Sequence, residues 1–242
     1  MKGLKILEVK FQSGSVPNTI FPVLVFDEEE MVLIDCGYPG FLPVIEAAAK
    51  AEGIDIGRLT KIIITHHDFD HMGALAAFKR AYPGIQLLSS AGEESYISGR
   101  EKSLRLQQAE ALYPALPEEQ KEGARQFHAM LEAVEAAAVD VLLTDGEVLP
   151  CCGGIEIIAT PGHMPGHISV YLRESKTLVA GDAMVVEQGE LHIANPQYTL
   201  DMKQARKSLK KLLDYEIERI VCYHGGIFEA KIKEALQKIS FK

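Results

Sequence analysis

The sequence has few cysteines, less positive than negative charge and no long apolar run. Its four cysteines form no CxxC pair, and Cys151 and Cys152 are adjacent, which seldom yields a useful disulfide. We therefore expect reduced thiols and a cytoplasmic protein. The formal net charge of −9 argues against binding nucleic acid through general charge attraction. No apolar stretch is long enough to cross a bilayer, and the first residues lack the apolar core of a secretory signal, so we expect no membrane partner.

The chain does contain enough apolar sequence for a sizeable core. Hydrophobic residues make up 47% of the 242 positions, which is typical of a globular protein. We expect a single domain that spans residues 1–242. The part at about 90–145 is different, because it is rich in Ala, Glu, Gln and Leu with helical spacing. We interpret this part as a helical insertion that acts as a lid over a site or as the contact of a homodimer.

Several stretches group their apolar residues in the way that β-strands do. "LKILEVKF" predicts one strand, and "FPVLVFDEEEMVLIDCG" predicts two strands joined by an acidic turn. "LTKIIITHHD" predicts a buried strand with a polar end, and "MGALAAFKRAYPG" predicts the helix after it. Strands return near residue 154, and helices follow in "DMKQARKSLKKLLD" and "FEAKIKEALQKIS". This order is compatible with two stacked sheets and helices outside them.

Histidine and aspartate residues recur where the predicted strands end. The first group lies within "THHDFDH" and consists of His66, Asp68, Asp70 and His71. Later strands end near three further residues of these kinds: His163, Asp182 and His224. In an extended segment, side chains at i, i+2 and i+4 point the same way, so His66, Asp68 and Asp70 are expected to share one side. His67 and Phe69 are then expected to point away.

These side chains offer the ligand atoms of a transition-metal site. Imidazole nitrogens and carboxylate oxygens bind zinc and other first-row metals. The seven residues are too many for one tetrahedral ion, and they suit two divalent ions that share a bridging carboxylate. The sequence therefore predicts a dinuclear metal site, most simply with zinc.

The same motifs resemble those of a known family. "THHDFDH" is similar to the His-x-His-x-Asp-His signature of the metallo-β-lactamase-fold hydrolases. "LIDCG", "TPGHMPGH", "LVAGD" and "YHGG" fall in that family's order, so the resemblance covers nearly the whole chain. It implies a mixed α/β (α+β) fold, a four-layered αβ/βα sandwich with a dinuclear site in the cleft between its sheets.

The resemblance also implies roles for individual residues. One metal would be held by His66, Asp68 and His163. The other would be held by Asp70, His71 and His224. Asp182 would bridge the two metals, and Asp35 would support the metal-binding loop without touching them.

Asp68 departs from the family pattern, which usually has histidine at this position. Taking His67 as the ligand is the alternative, although the i+2 spacing favours Asp68. Asp68, Asp70, Asp182 and one bridging hydroxide would cancel the charge of two divalent ions, whereas histidine at position 68 would leave one positive charge. A less positive site makes bound water less acidic, and it makes manganese or iron more plausible beside zinc.

Other polar residues near these motifs have more modest expected roles. His67 and His167 are expected to orient loops through hydrogen bonds. His192, Tyr198 and Tyr223 are candidates for contact with a substrate. For the two tyrosines, a half-buried ring with a satisfied hydroxyl is the more common fate.

Together these inferences predict a metal-dependent hydrolase with a small-molecule substrate. A hydroxide bridging the metals would attack an ester, thioester, lactone or amide, and Asp70 would orient it or shuttle its proton. "TPGHMPGH" resembles the motif of the hydroxyacylglutathione-hydrolase and lactonase branches, which favours a small acyl substrate. Specificity is expected to come from residues 13–19 and from the helical insertion. Two alternatives stay open: an iron-dependent oxidoreductase or dioxygenase on the same fold, and a metal-binding or sensing module without activity.

Overall fold

A computed structural model describes residues 2–241 of the chain. The strands within these residues are β1 (Gly3–Ile6), β2 (Val9–Ser13), β3 (Val16–Ile20), β4 (Val23–Phe26), β5 (Met31–Ile34), β6 (Lys61–Ile63), β7 (Gln86–Ser90), β8 (Val141–Leu143), β9 (Val148–Leu149), β10 (Ile155–Ala159), β11 (Ile168–Leu172), β12 (Thr177–Gly181), β13 (Met184–Glu187), β14 (Glu190–Ile193), β15 (Arg219–Cys222) and β16 (Gly226–Phe228). The α-helices are α1 (Leu42–Ala51), α2 (Phe69–Met72), α3 (Leu75–Ala81), α4 (Ala91–Ile97), α5 (Leu104–Leu112), α6 (Glu118–Glu132), α7 (Met202–Lys211) and α8 (Ile232–Ser240).

Most strands belong to two six-stranded sheets. The first sheet has the order β1-β4-β5-β6-β7-β8, and the second has the order β16-β15-β12-β11-β10-β9. Two hairpins, β2-β3 and β13-β14, stand beside these sheets. In the first sheet, β5, β6, β7 and β8 are parallel to one another, whereas the pairs β1-β4 and β4-β5 are antiparallel.

Three apolar clusters show how the layers stack. Because side chains alternate along a strand, Val32 and Ile34 of β5 enter the cluster between the sheets, while Leu33 enters the cluster beneath the outer helices. The second sheet behaves in the same way: Ile157 faces the first sheet and Ile158 packs with residues of α7 and α8. The result is helices, sheet, sheet and helices in succession, which confirms the predicted four-layered α/β sandwich.

The strand directions explain why the polar residues meet. β12 and β15 are parallel, and β10 runs the same way because both it and β12 are antiparallel to β11. β5 and β6 are also parallel. The candidate residues follow the carboxyl ends of these five strands in the order Asp35, His66, His163, Asp182 and His224. Carboxyl ends of parallel strands lie at one edge of a sheet, so separate motifs converge there.

Several element predictions are confirmed and two need correction. β4 and β5 are the two strands predicted in "FPVLVFDEEEMVLIDCG", and α7 and α8 are the predicted late helices. "LKILEVKF" was predicted as one strand, but it divides because β1 pairs with β4 whereas β2 pairs with β3. The helix predicted in "MGALAAFKRAYPG" is α3, which ends before Pro83 and Gly84. The second correction concerns Asp70, which lies in the helical turn of α2 and not in an extended segment.

The part predicted as a helical insertion contains α4, α5 and α6. Its final residues form β8, which pairs in parallel with β7 at the edge of the first sheet. In the chain, the three helices therefore connect β7 to β8, two neighbouring strands of that sheet. The last residues of the predicted segment belong to the sheet and not to the helices. None of the helices within residues 2–241 combines the length and the apolar character needed to cross a bilayer.

Candidate metal centre

The central loop of the site runs from Thr65 to Met72; it follows β6 and includes the short helix α2. Asp68 keeps an extended backbone just before the helix, and α2 then turns Asp70 and His71 back toward His66. His67 lies on the opposite side, where it packs against α4. A helical turn, not a continued strand, thus completes the first half of the site.

The predicted ligands meet in three overlapping groups. In each group, one possible ligand atom from every member lies within 4.8 Å of the others. The groups are His66, Asp68 and His163; His66, His71 and Asp182; and Asp70, His71 and His224. Asp182 also approaches ring nitrogens from both outer groups, at 3.6 Å from His163 Nε2 and 3.8 Å from His224 Nε2. This is the arrangement that a shared carboxylate between two ions requires.

The histidine rings are oriented as metal ligands. His66 Nδ1 lies 3.0 Å from Thr65 Oγ1, and His71 Nδ1 lies 2.9 Å from Asp35 Oδ2, so each ring is held by its outer nitrogen. Within the described residues, the Nε2 atoms of both rings are buried and lack a hydrogen-bond partner. A buried nitrogen is rarely left without a partner, and these two face carboxylates. The donor set therefore fits divalent metal ions.

Asp35 holds this orientation from behind the loop. Its carboxylate accepts hydrogen bonds from the Thr65 backbone N–H at 2.8 Å and from the Thr65 hydroxyl. The residue adopts a left-handed backbone with φ of 58°, a conformation that aspartate tolerates better than most residues. Asp35 therefore connects Thr65 and the ring of His71 through its carboxylate.

Charges in the site act on the two buried histidines in opposite directions. Burial lowers the pKa of His66 well below its usual range, and the imidazole of His71 adds to this effect. Burial also acts to lower the pKa of His71, but Asp182, Asp35 and Asp70 outweigh it and raise that pKa well above the usual range. His71 therefore lies in the most negative part of the site, where a cation is most strongly favoured.

Asp68 has a partner that the sequence did not reveal. Arg105, near the start of α5, donates from Nε to Asp68 Oδ1 at 3.1 Å and from Nη2 to Asp68 Oδ2 at 2.7 Å. Burial acts to raise the pKa of Asp68, but the hydrogen bond with His163, the nearby ring of His66 and the charge of Arg105 hold it well below its usual range. No motif marks this arginine, because it lies between Leu104 and Leu106 on an otherwise ordinary helix.

Arg105 changes the charge argument made from the sequence. In the argument from the sequence, Asp68 in place of histidine lowered the net charge of a site with two divalent ions by one. A guanidinium stays charged in proteins, so Arg105 returns that unit. The site then has the charge expected with histidine at position 68, and this reason for favouring manganese or iron is lost.

Glu93 is a second residue that the sequence did not reveal. This fully buried carboxylate of α4 contacts His67 Nδ1 and accepts hydrogen bonds from the backbone N–H of His67 at 2.9 Å and of Gly166 at 2.8 Å. Gly166 also meets the backbone of Gly92 so closely that a Cβ there would lie 2.5 Å from the Gly92 carbonyl carbon. Glu93 thereby joins the central loop to the loop of His163.

A cavity of about 370 Å³ opens onto the site. Asp70, Asp182 and His224 face it, and they are more exposed than the remaining candidate ligands. Its walls include Asn18 of β3, Phe127 of α6 and Tyr198. Asn18 lies within residues 13–19 and Phe127 within the helical segment, the two parts in which specificity was expected, whereas Tyr198 follows β14 and lies in neither.

The three residues proposed for substrate contact lie in different surroundings. Tyr198 lines the cavity. Tyr223 is buried, and its hydroxyl donates to the backbone carbonyl of Asp70 at 2.6 Å. His192 is exposed on β14 and is not among the residues that line the cavity.

Comparison with known proteins identifies the family. The family model of the metallo-β-lactamase superfamily matches residues 17–224. The chain belongs to this superfamily. Curated relatives in it include YflN, a probable metallo-hydrolase of Bacillus subtilis (strain 168), which is 30% identical over 87% of this chain and 81% of its own length.

Other members of the superfamily give the same result. A hydroxyacylglutathione hydrolase of a Synechococcus strain is 26% identical over 79% of this chain and 60% of its own length. A metallo-β-lactamase family protein of Thermus thermophilus superposes with a TM-score of 0.74, covers 98% of this chain and 77% of its own, and is 25% identical. A superfamily protein of Sulfolobus tokodaii, at 22% identity and a TM-score of 0.69, shares the fold over 98% of this chain and 86% of its own.

His167 supports this superfamily site without joining the ligand groups. Its Nε2 accepts the backbone N–H of Asp182 at 3.0 Å, and its Nδ1 lies 2.9 Å from Thr160 Oγ1. Burial lowers the pKa of His167 to about 3, and the imidazole of His163 acts in the same direction. The ring is therefore held neutral, in the form that can accept the hydrogen bond from Asp182.

This neutral ring predicts a loss of stability in acid. Below the ordinary pKa of 6.5, the unfolded chain binds a proton that the folded protein refuses until about pH 3, so the free energy of unfolding falls as the pH decreases through this window. Between pH 7 and 5 we expect His167 to contribute a loss of about 2 kcal/mol, which His167→Gln removes. Urea unfolding of metal-free protein at both pH values measures the difference. His192→Gln, at an exposed histidine, is the control, and equal pH dependence in wild type and His167→Gln would contradict the prediction.

Proposed function

We propose that this protein is a metal-dependent hydrolase that cleaves a small ester, thioester, lactone or amide with two divalent ions, most simply zinc. The observation that carries the proposal is the pair of unpartnered, buried Nε2 atoms of His66 and His71 beside carboxylates at the base of a cavity. A structural histidine normally has both nitrogens satisfied, so these rings favour metal binding. Membership of a superfamily with metallo-hydrolases supports the same reaction class.

The residues of the chain support a division of labour in hydrolysis. When bound, two divalent ions supply a hydroxide nucleophile at neutral pH and polarise the oxygen of the bond under attack. Asp70 Oδ2 lies 3.1 Å from His224 Nε2 and faces the cavity, so Asp70 is placed to hold the attacking group and to accept its proton. Asp182 lies between His163 and His224, so it is placed to contact the ions of both outer ligand groups.

The cavity favours a small substrate without strong negative charge. Its volume of about 370 Å³ suits a small molecule, and aromatic rings from Tyr38, Phe69 and Phe127 form part of its wall. Arg105 is the only arginine or lysine among the described residues that line it, and this arginine is already paired with Asp68. The wall thus offers no uncommitted cationic side chain for a phosphate or carboxylate, which favours a neutral acyl compound over a phosphodiester.

The names of relatives support the same substrate class. Hydroxyacylglutathione hydrolases occur among the similar curated proteins, which supports a thioester as one member of the proposed set. Glutathione itself carries carboxylates, so the cavity argument favours a neutral thioester over a glutathione thioester. A lactone or simple ester fits the cavity argument equally well. The proposed partner of the protein is accordingly a small molecule, with no role for nucleic acid.

A substrate panel with a defined metal tests the proposal. Metal-free protein reloaded with Zn²⁺ is expected to hydrolyse at least one neutral ester, thioester, lactone or amide, and to do so faster than phosphodiesters. Asp70→Asn is expected to reduce that activity by roughly 100-fold or more, because it removes a proton acceptor and a ligand charge. Elemental analysis and oxygen uptake are measured on the same samples. Oxygen-consuming turnover with bound iron and no hydrolysis would replace this proposal by the oxidoreductase alternative.

A further inference from the structure

Arg105 is held in place from three sides beside the candidate metal centre. Besides its two bonds to Asp68, its guanidinium donates to the side-chain oxygen of Gln108 at 2.7 Å and to the backbone carbonyl of Tyr198 at 2.8 Å. The side chain is only 4% exposed. A planar guanidinium with its donors engaged in this way has little freedom to swing aside.

The same Asp68 oxygen serves both the arginine and the ligand group. Asp68 Oδ2 lies 3.0 Å from His163 Nε2 and 3.4 Å from His66 Nε2, so it is the carboxylate atom that faces both rings. It is also the atom that accepts from Arg105 Nη2 at 2.7 Å. Arg105 Nη2 is itself only 3.3 Å from His163 Nε2. A divalent ion between these ligands has a fixed positive charge as its neighbour.

The other ligand group has no such neighbour. Within residues 2–241, the ion pairs of Asp70 and Asp182 are made with histidines, not with lysine or arginine. The carboxylates of Asp68, Asp70 and Asp182 contribute three negative charges, and Arg105 reduces the sum to two. That sum matches the charge of one divalent ion. The two carboxylates without an arginine partner, Asp70 and Asp182, both approach His71 Nε2, at 3.9 Å and 3.3 Å.

We propose that Arg105 makes the two metal positions unequal. The position of Asp70, His71 and His224 binds the first ion tightly. The position of His66, Asp68 and His163 binds the second ion weakly, because Arg105 already compensates and occupies Asp68. Arg105 is thus a positioning residue that sets metal occupancy, and this inference rests on the proposed dinuclear site but not on the proposed reaction.

Titration of metal-free protein with Zn²⁺ alone tests this asymmetry. Binding is followed by competition with a chromophoric chelator, and bound zinc is counted by elemental analysis after equilibrium dialysis. For the wild type we expect one tight ion and a second ion bound roughly 10- to 100-fold more weakly. Arg105→Gln is expected to narrow this gap by about tenfold or more, whereas Arg105→Lys, which keeps the charge, narrows it less. Arg125→Gln, at an exposed arginine of α6, is the control and leaves both affinities unchanged.

Two further variants assign the positions even if Arg105→Gln fails to fold. Asp68→Asn is expected to weaken only the second ion, and Asp70→Asn to weaken the first. Arg105→Gln is also expected to lower the melting temperature of the metal-free protein, since Asp68 then stays buried without its partner. Addition of zinc is expected to raise the melting temperature of Arg105→Gln by more than it raises that of Arg125→Gln.

Three outcomes overturn the inference: equal affinities for both ions in the wild type, an unchanged gap in Arg105→Gln, or loss of the tight ion in Asp68→Asn. Because binding is measured without turnover, two ions of equal affinity would overturn this inference and leave the proposed hydrolase intact. A protein that binds two ions with the expected difference in affinity but hydrolyses none of the substrates would support this inference and overturn the proposed hydrolase.

Discussion

Asp182→Asn is expected to lower kcat/KM of the zinc-loaded protein by about 10³-fold or more, because in the proposed site this carboxylate would hold both metals, on which several kcal/mol of transition-state stabilisation would depend. Asp182 is the residue that approaches both outer ligand groups, with oxygens 3.3 Å from His71 Nε2 and 3.6 Å from His163 Nε2. Asparagine keeps the shape and removes the negative charge. Steady-state kinetics on the best substrate of the panel, together with a zinc count, measures the effect.

The matched control for this substitution is Asp214→Asn. Asp214 is an exposed carboxylate just beyond α7 and belongs to none of the three ligand groups. Asp214→Asn removes the same negative charge as Asp182→Asn, so the comparison corrects for any effect of net charge on activity. Retention of more than a tenth of wild-type activity and of both zinc ions in Asp182→Asn would show that Asp182 does not join the metals.

Removal of the metals is expected to lower the melting temperature by about 10 °C. Asp70 and Asp182 both approach His71 Nε2 and His224 Nε2 and have no lysine or arginine partner within the described residues, so bound cations would relieve the repulsion between these two carboxylates. An ion present at about a thousand times its dissociation constant stabilises the folded state by about 4 kcal/mol, and each kcal/mol shifts the melting temperature of a chain this long by about 2–4 °C. Thermal unfolding with and without a chelator, followed by restoration with Zn²⁺, gives the value.

A variant with a damaged site provides the comparison for the chelator experiment. Asp70→Asn is expected to melt at a temperature that depends less on zinc, because it lacks one ligand charge of the more negative group. Equal chelator sensitivity in this variant and in the wild type would mean that zinc stabilises the protein elsewhere. An unchanged melting temperature in the wild type would argue against a tight site altogether.

Much of the fold and of the ligand set could be predicted because both depend on local sequence. β4 and β5 follow from a dense apolar run, and the convergence of motifs follows from strands that end at one edge. "THHDFDH" brings four candidate ligands together within seven residues, so no knowledge of distant packing is needed to recognise them. The error about Asp70 was local as well: the i+4 rule for strands was extended across the start of a helix.

The boundary errors have a different cause. "LKILEVKF" contains nothing that separates its two halves, and the division comes from different partners, β4 for one half and β3 for the other. The end of the helical segment was misplaced because β8 is short and draws its identity from pairing with β7. Strand pairing joins residues far apart in the chain, so periodicity alone does not reveal it.

By itself, the sequence determined the order of strands and helices and the metal-type ligand set, since apolar period and motif order are properties of neighbouring residues. The four-layered fold was implied by the resemblance of its motifs to those of the metallo-β-lactamase family. The tertiary structure alone decided the surroundings of Asp68. A buried carboxylate requires a partner, but the partner is supplied by packing, and here α5 delivers Arg105 from 37 positions away. The sequence alone suggested a site with one positive charge fewer than usual. In the folded protein Arg105 of α5 supplies that positive charge.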